Sequence, residues 1–131
     1  MSIFDAIGIA GTGVTVNRKW MDAVSDNLAN INTATRTSDP AYEAKYVVAA
    51  EAADGKGTQV AGIVTGSAEG RRVYEPTHPL ADEQGYVKYP DIDMSSQMTS
   101  LMMAQRAYQA NLQTITTAKE AYSSALQLGK G

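Results

Sequence analysis

The side chains able to do catalytic or ligand-binding chemistry are few and scattered. His78 is the single histidine, set between Thr77 and Pro79 in a turn-forming stretch, and there is no cysteine. One imidazole cannot supply the nitrogen and sulfur ligands of a zinc site, so His78 reads as a structural or solvent-facing residue. Asp82 with Glu83, and Asp91 with Asp93, are paired carboxylates of the kind that hold a cation or work as an acid–base dyad. The first pair lacks the alternating acidic ligands, glycine and closing glutamate of a calcium loop. The second follows Pro90 at the head of a helical pattern, where a carboxylate caps free N–H groups and favours the helix dipole. Gly11-Thr12-Gly13 has no strand before it and so is no phosphate loop, and no nucleophile elbow or dinucleotide fingerprint occurs. No catalytic, cofactor-binding or metal-ligating residue is expected; an enzyme would rest on His78 and Asp82–Glu83 alone.

Composition narrows the field further. A chain of 131 residues with net charge −3 and no basic run is a poor nucleic-acid binder, because nothing is arranged to neutralise phosphates. No stretch approaches the length of apolar sequence that spans a bilayer, so no direct membrane insertion is expected. The N-terminus Met1-Ser2-Ile3-Phe4-Asp5 lacks the basic region of a cleavable signal peptide. Phe and Trp occur once each while Ala, Ser, Thr and Met are plentiful, a composition suited to helix seams more than to a thick core.

The elements that would position any function are two long helical patterns at the termini. After Pro90 no Pro or Gly occurs until Gly129. One helix of up to about 38 residues, roughly 55 Å, can therefore run there. Met94, Leu101, Tyr108, Ile115 and Tyr122 recur at heptad spacing (position a), and Gln97, Ala104, Asn111, Ala118 and Ala125 fill position d. A large row beside a small row lets a partner helix approach closely. Between Ser95 and Ala118 the one charged residue is Arg106. A solvated helix carries Lys and Glu pairs; uncharged polar groups are less costly to bury, so this helix reads as one surrounded on several sides.

The same spacing runs from Ile3 to Ile31, with Ile7, Val14, Met21 and Leu28 in one row and Ile3, Ala10, Asn17, Val24 and Ile31 in the other. Each seam holds a single Asn in its d row, Asn17 and Asn111, a device that costs stability and sets register and partner. Gly8, Gly11 and Gly13 each cost a helix up to about 1 kcal/mol relative to Ala, so the first turns are expected to fray until something packs on them. The polar run from Ser25 to Tyr42 is expected to end the helix as a loop, with Asn27, Asn30 and Asn32 bonding backbone at its end. Between the helices, Tyr46–Val48 with Gln59–Val64, and Arg72–Tyr74 with Tyr86–Tyr89, read as strands of hairpins.

The expected fold class is α+β. An N-terminal helix over 1–32, a loop over 33–44, a small β-hairpin insert over 45–90 and a C-terminal helix over 91–131 make it up. The helices pair as a coiled-coil-like axial domain, discontinuous in sequence.

Three stretches carry a family resemblance. Ser25-Asp26-Asn27-Leu28-Ala29-Asn30-Ile31-Asn32-Thr33 resembles the S-x-N-[IL]-A-N-x-N-T signature of flagellar rod and hook proteins, although the usual Thr-Pro-Gly-Tyr continuation is replaced by the longer run to Tyr42. Val73 to Val87, reading VYEPTHPLADEQGYV, is similar to the Y-x-P-x-H-P-x-A-D-x-x-G-Y-V segment of the proximal-rod branch of that family. Ala104 to Asn111, AQRAYQAN, resembles the A-x-R-A-Y-[EQ]-A-N motif in the C-terminal helix of axial proteins. The resemblance implies a structural subunit of the bacterial flagellar basal-body rod. It also implies export without signal cleavage through the flagellar type III apparatus, and partners that are copies of itself and other rod subunits.

On that reading the assembly interface is Ile7, Val14, Asn17, Met21 and Leu28 on the first helix and Leu101, Ala104, Tyr108, Asn111, Ile115 and Tyr122 on the second, with the Asn27, Asn30, Asn32 loop at the helix end. The rival from another class is a secreted type III coiled-coil interaction protein. It would share the seams and the export route but would not need the Tyr74–Tyr89 segment.

Overall fold

The computed structural model describes residues 1–131. Its order is α1 (Ile3–Asn30), β1 (Lys45–Glu51), β2 (Thr58–Thr65), β3 (Arg71–Tyr74), β4 (Tyr86–Tyr89) and α2 (Met94–Gly129). The class is α+β: two long terminal helices with antiparallel hairpins between them.

Helix α1 starts on a capping box. Ser2 Oγ accepts from the Asp5 N–H at 3.2 Å, and Asp5 Oδ2 accepts from the Ser2 N–H at 3.0 Å. The loop-like run from Ser25 stays helical to Asn30, so α1 ends within two residues of the expected boundary at 32. The Asn side chains do not open the helix. Asn30 Nδ2 donates to its own helix at the Asp26 carbonyl, 2.9 Å, and Asn27 turns away from the local backbone altogether. Helix α2 begins at Met94, with Asp93 as N-cap accepting from the Ser96 N–H at 2.8 Å; Asp91 is exposed and lies two residues too early to cap it. At about 1.5 Å per residue the 36 residues of α2 span about 54 Å and the 28 of α1 about 42 Å.

The helices lie antiparallel, and three contacts fix their register. Phe4 meets Tyr122 edge-on at 5.2 Å between ring centroids, Gly13 lies against the Asn111 amide, and Asn27 Nδ2 donates to Gln97 Oε1 at 3.0 Å. Carried along both helices at equal rise, that register sets Leu101 level with Val24, Tyr108 with Asn17 and Ile115 with Ala10. It also sets Ala104 level with Met21 and Asn111 with Val14. The d-row residues Gln97 and Asn111 meet Asn27 and Gly13, each one residue before the a row of α1, and Tyr122 meets Phe4, one residue past its d row.

Strands β1 and β2 pair antiparallel with a bulge between Val48 and Ala49, and pack on α1. Strands β3 and β4 form a separate two-stranded sheet, with Val87 fully buried and Thr35 bridging to Lys88. A small cluster of Ile31, Ala44 and Ile92, covered by Tyr42, closes the junction where α1 ends and α2 begins. Burial is sparse: 16 of 131 residues, so this chain holds little core of its own.

Candidate assembly surface

The residues weighed for chemistry are used as turn hardware. His78 Nδ1 accepts from the Leu80 N–H at 3.0 Å. Asp82 Oδ1 accepts from the N–H groups of Gln84 and Tyr86 at 3.0 and 2.9 Å, and Oδ2 accepts from the Thr37 hydroxyl at 2.9 Å. The Tyr86 N–H foremost, with Thr37, Gln84 and the charge of Arg72 behind it, holds the Asp82 carboxyl below its ordinary value of 3.8. Gly85 completes the turn at φ +86°, where a Cβ would meet the Tyr74 ring. The His-Pro-x-Ala-Asp-x-x-Gly segment is therefore a β3–β4 connection tied to the loop before it through Thr37. No three His, Asp or Glu side chains converge as a metal site.

The seam residues fall as follows. On α1, Val14 and Asn17 are buried, and Ile7, Met21 and Leu28 are half-buried. On α2, Ala104 is fully buried; Leu101, Tyr108, Asn111 and Ile115 are half-buried, and Tyr122 is exposed beside Phe4. Most of both seams is thus occupied by pairing within the chain. The two Asn residues do not bond each other. Asn111 Nδ2 donates to the Ala107 carbonyl of its own helix at 3.1 Å, and Asn17 Nδ2 is buried without an acceptor.

The helix-end asparagines divide. Asn27 is fully buried. Its Nδ2 donates to the Lys45 carbonyl at 2.9 Å and to Gln97 Oε1, and its Oδ1 accepts from the Lys45 N–H at 2.8 Å and the Tyr42 hydroxyl at 3.3 Å. Asn30 serves its own helix and accepts from the Thr33 hydroxyl, while Asn32 is exposed. Lys45 is held twice, since its Nζ reaches Asp26 Oδ2 at 3.1 Å, a bond that raises the pKa of the lysine. The partners at 42, 45 and 97 lie outside any local window, so sequence reading placed Asn27 at the helix end and Gln97 in the seam without joining them, and missed the part played by Tyr42.

The hairpin tip also closes on α1. Thr12 Oγ1 donates to the Ile9 carbonyl at 2.6 Å and accepts from the Thr58 N–H at 3.1 Å. Lys56 Nζ lies 3.5 Å from Asp5 Oδ1, and Gly57, at φ +103°, presses directly on Thr12. This supplies the packing that the glycine-rich first turns of α1 lacked. The Ser2 N–H first, and the Lys56 charge next, hold the Asp5 carboxyl below its ordinary value.

What is left over is an unpartnered surface. Met94, Met98, Met102, Met103 and Leu112 of α2 are exposed among uncharged polar residues, and residues 123–131 are exposed on every side. The chain exposes 8455 Å² for its 13.9 kDa, against about 6,700 Å² for a compact monomer of that mass. The excess is on the order of a standard protein–protein interface.

The features that stand out are a long helical pair, a stretch of α2 from Ser95 to Ala118 whose one charge is Arg106, and small hairpins at its side. Comparison with known proteins gives the family. Residues 83–128 match the family described as flagellar basal body rod FlgEFG protein C-terminal. The chain is 37% identical to the flagellar basal-body rod protein FlgC of Escherichia coli O6:H1, over 99% of this chain and all of that one. It is equally similar, 37% over the same shares, to FlgC of Salmonella typhimurium, and 28% identical to FlgC of Borreliella burgdorferi over the full length of both. The chain belongs to the FlgC family of flagellar basal-body rod proteins.

Proposed function

We propose that this chain is a structural, non-catalytic subunit of the proximal rod of the bacterial flagellar basal body, polymerising through its terminal helices into the shaft that carries torque outward. The observation that carries the reading is the exposed face of α2: methionines and uncharged polar residues over more than six turns, with Arg106 the one charge between Ser95 and Ala118. Such a face costs little to desolvate against another helix. Head-to-tail contacts between copies of the chain and other rod subunits build an open helical assembly. The helix pair acts as one axial domain with the hairpins at its side, and the chain reaches the rod through the flagellar type III export apparatus.

The test is Met102→Glu, at a position 53% exposed, where a charge is tolerated in the free chain. The expected outcome is a chain with unchanged circular dichroism that is exported but missing from purified hook–basal bodies by mass spectrometry, in non-motile cells. Normal rods carrying the substituted chain would overturn the role of this face. The unsubstituted chain found free in the culture supernatant and absent from basal bodies would instead favour a secreted interaction protein.

A further inference from the structure

Asn27 sits where α1, α2 and the first hairpin meet, and every bond its carboxamide can make is made. The two Nδ2 hydrogens go to the Lys45 carbonyl and to Gln97 Oε1, and the two acceptor positions of Oδ1 take the Lys45 N–H and the Tyr42 hydroxyl. Towards Lys45 the side chain offers a donor and an acceptor side by side, as a neighbouring strand would, and so stands in for the missing strand at the outer edge of β1. Gln97, on α2, covers the other side of the same amide and is itself buried.

We infer that Asn27 makes docking of the β1–β2 hairpin conditional on the pairing of α1 with α2. The terminal torsion of an Asn side chain is soft. When α2 is absent, the amide keeps its partners at Lys45 and Tyr42 but loses the acceptor at Gln97, and water reaches both it and the Lys45 backbone. With α2 in place, Gln97 orients the amide and the low local dielectric strengthens all four bonds together. The network is complete or it is lost. The hairpin's other bonds to α1 (Thr12 to Thr58, Lys56 to Asp5, Lys45 to Asp26) are exposed, and exposed bonds of this kind hold weakly. Gln97 is thus a positioning residue: it touches no part of the hairpin bond to Lys45, yet it sets the amide that makes it. The hairpin swings free on an unpaired α1 and locks when α2 arrives.

The experiment is residue-resolved amide hydrogen exchange on the full-length chain. Gln97→Met keeps side-chain length and removes the amide; Tyr122→Ala removes the Phe4 contact at the far end of α2 and leaves Gln97 in place. Exchange of the Lys45 amide is expected to rise about tenfold or more in Gln97→Met and to stay within about twofold in Tyr122→Ala. An unchanged Lys45 amide in Gln97→Met, or an equal rise in both variants, would overturn the inference. Should Gln97→Met not fold, the unsubstituted chain decides. Through sub-denaturing urea the Lys45 amide and the Leu101–Ala104 amides of α2 must open together, and a hairpin that opens at lower urea than α2, or stays closed after α2 has opened, rejects the coupling.

Discussion

Two asparagines on one helix have opposite energetic roles. Asn27 is saturated, so Asn27→Leu strands the Lys45 backbone and Gln97 in a dry site; a loss of about 3 kcal/mol is expected from urea unfolding midpoints. Asn17 is buried with an idle Nδ2, so Asn17→Leu, which has the same branched outline and number of heavy atoms, should raise stability by about 1 kcal/mol in the same assay. Sequence alone marked Asn17 as a seam residue through its heptad position. It could not separate the two roles, because the partners of Asn27 arrive from 18 and 70 residues away. Carboxylates give a third measurement. The folded pKa values of Asp5 and Asp82 lie below the ordinary 3.8. Their contribution is therefore present above that value and fades as pH falls through the lower folded values. The unfolding midpoint should fall on acidification below about pH 4, and Asp82→Asn should flatten that acid limb while leaving Asp5's share.

At the level of elements, the glycines of α1 offer a sharp contrast. A Cβ at Gly8 or Gly11 meets nothing within 4 Å, so Gly8→Ala and Gly11→Ala should each stabilise the chain by up to about 1 kcal/mol. At Gly13 a Cβ falls 2.6 Å from Asn111 Nδ2, so Gly13→Val should cost about 1–3 kcal/mol by forcing the helices apart at that level. Thermal or urea denaturation of the three variants checks all of it. The heptad rows made the two long helices legible, since a period of seven survives in sequence without knowledge of the partner, but not which residue meets which across them. The hairpins were legible through their turn residues, notably Asp54-Gly55 and Gly85. The end of α1 was legible to within two residues, but Ser25-Asp26-Asn27 has the composition of a loop, and the bonds of Asn27 to β1 and α2 were not foreseen. The carboxylates at 82 and 83 were legible as a cluster; the turn bonds of Asp82 to Gln84 and Tyr86 are local, but its tie to Thr37, 45 residues away, was not legible.

On the scale of the molecule, the pattern is one of incompleteness. Folding uses the seams to pair α1 with α2, and what remains outside is the long uncharged side of α2 and its last turns beyond Tyr122. A surface that large on a chain this small is what the rod reading explains, and the Met102→Glu variant puts it at risk. That face has a further consequence, which concerns the medium in which it works. Screening by dissolved ions acts on charges, and here only Arg106 stands between Ser95 and Ala118. Joints made on this face should therefore loosen little between dilute and strongly saline buffer, measurable as the fraction of rods surviving a salt wash. The same lack of charge removes long-range attraction between subunits, so joining is slow unless the chains are delivered at high local concentration. Such a shaft would be indifferent to salinity once built, and dependent on close delivery while it is being built.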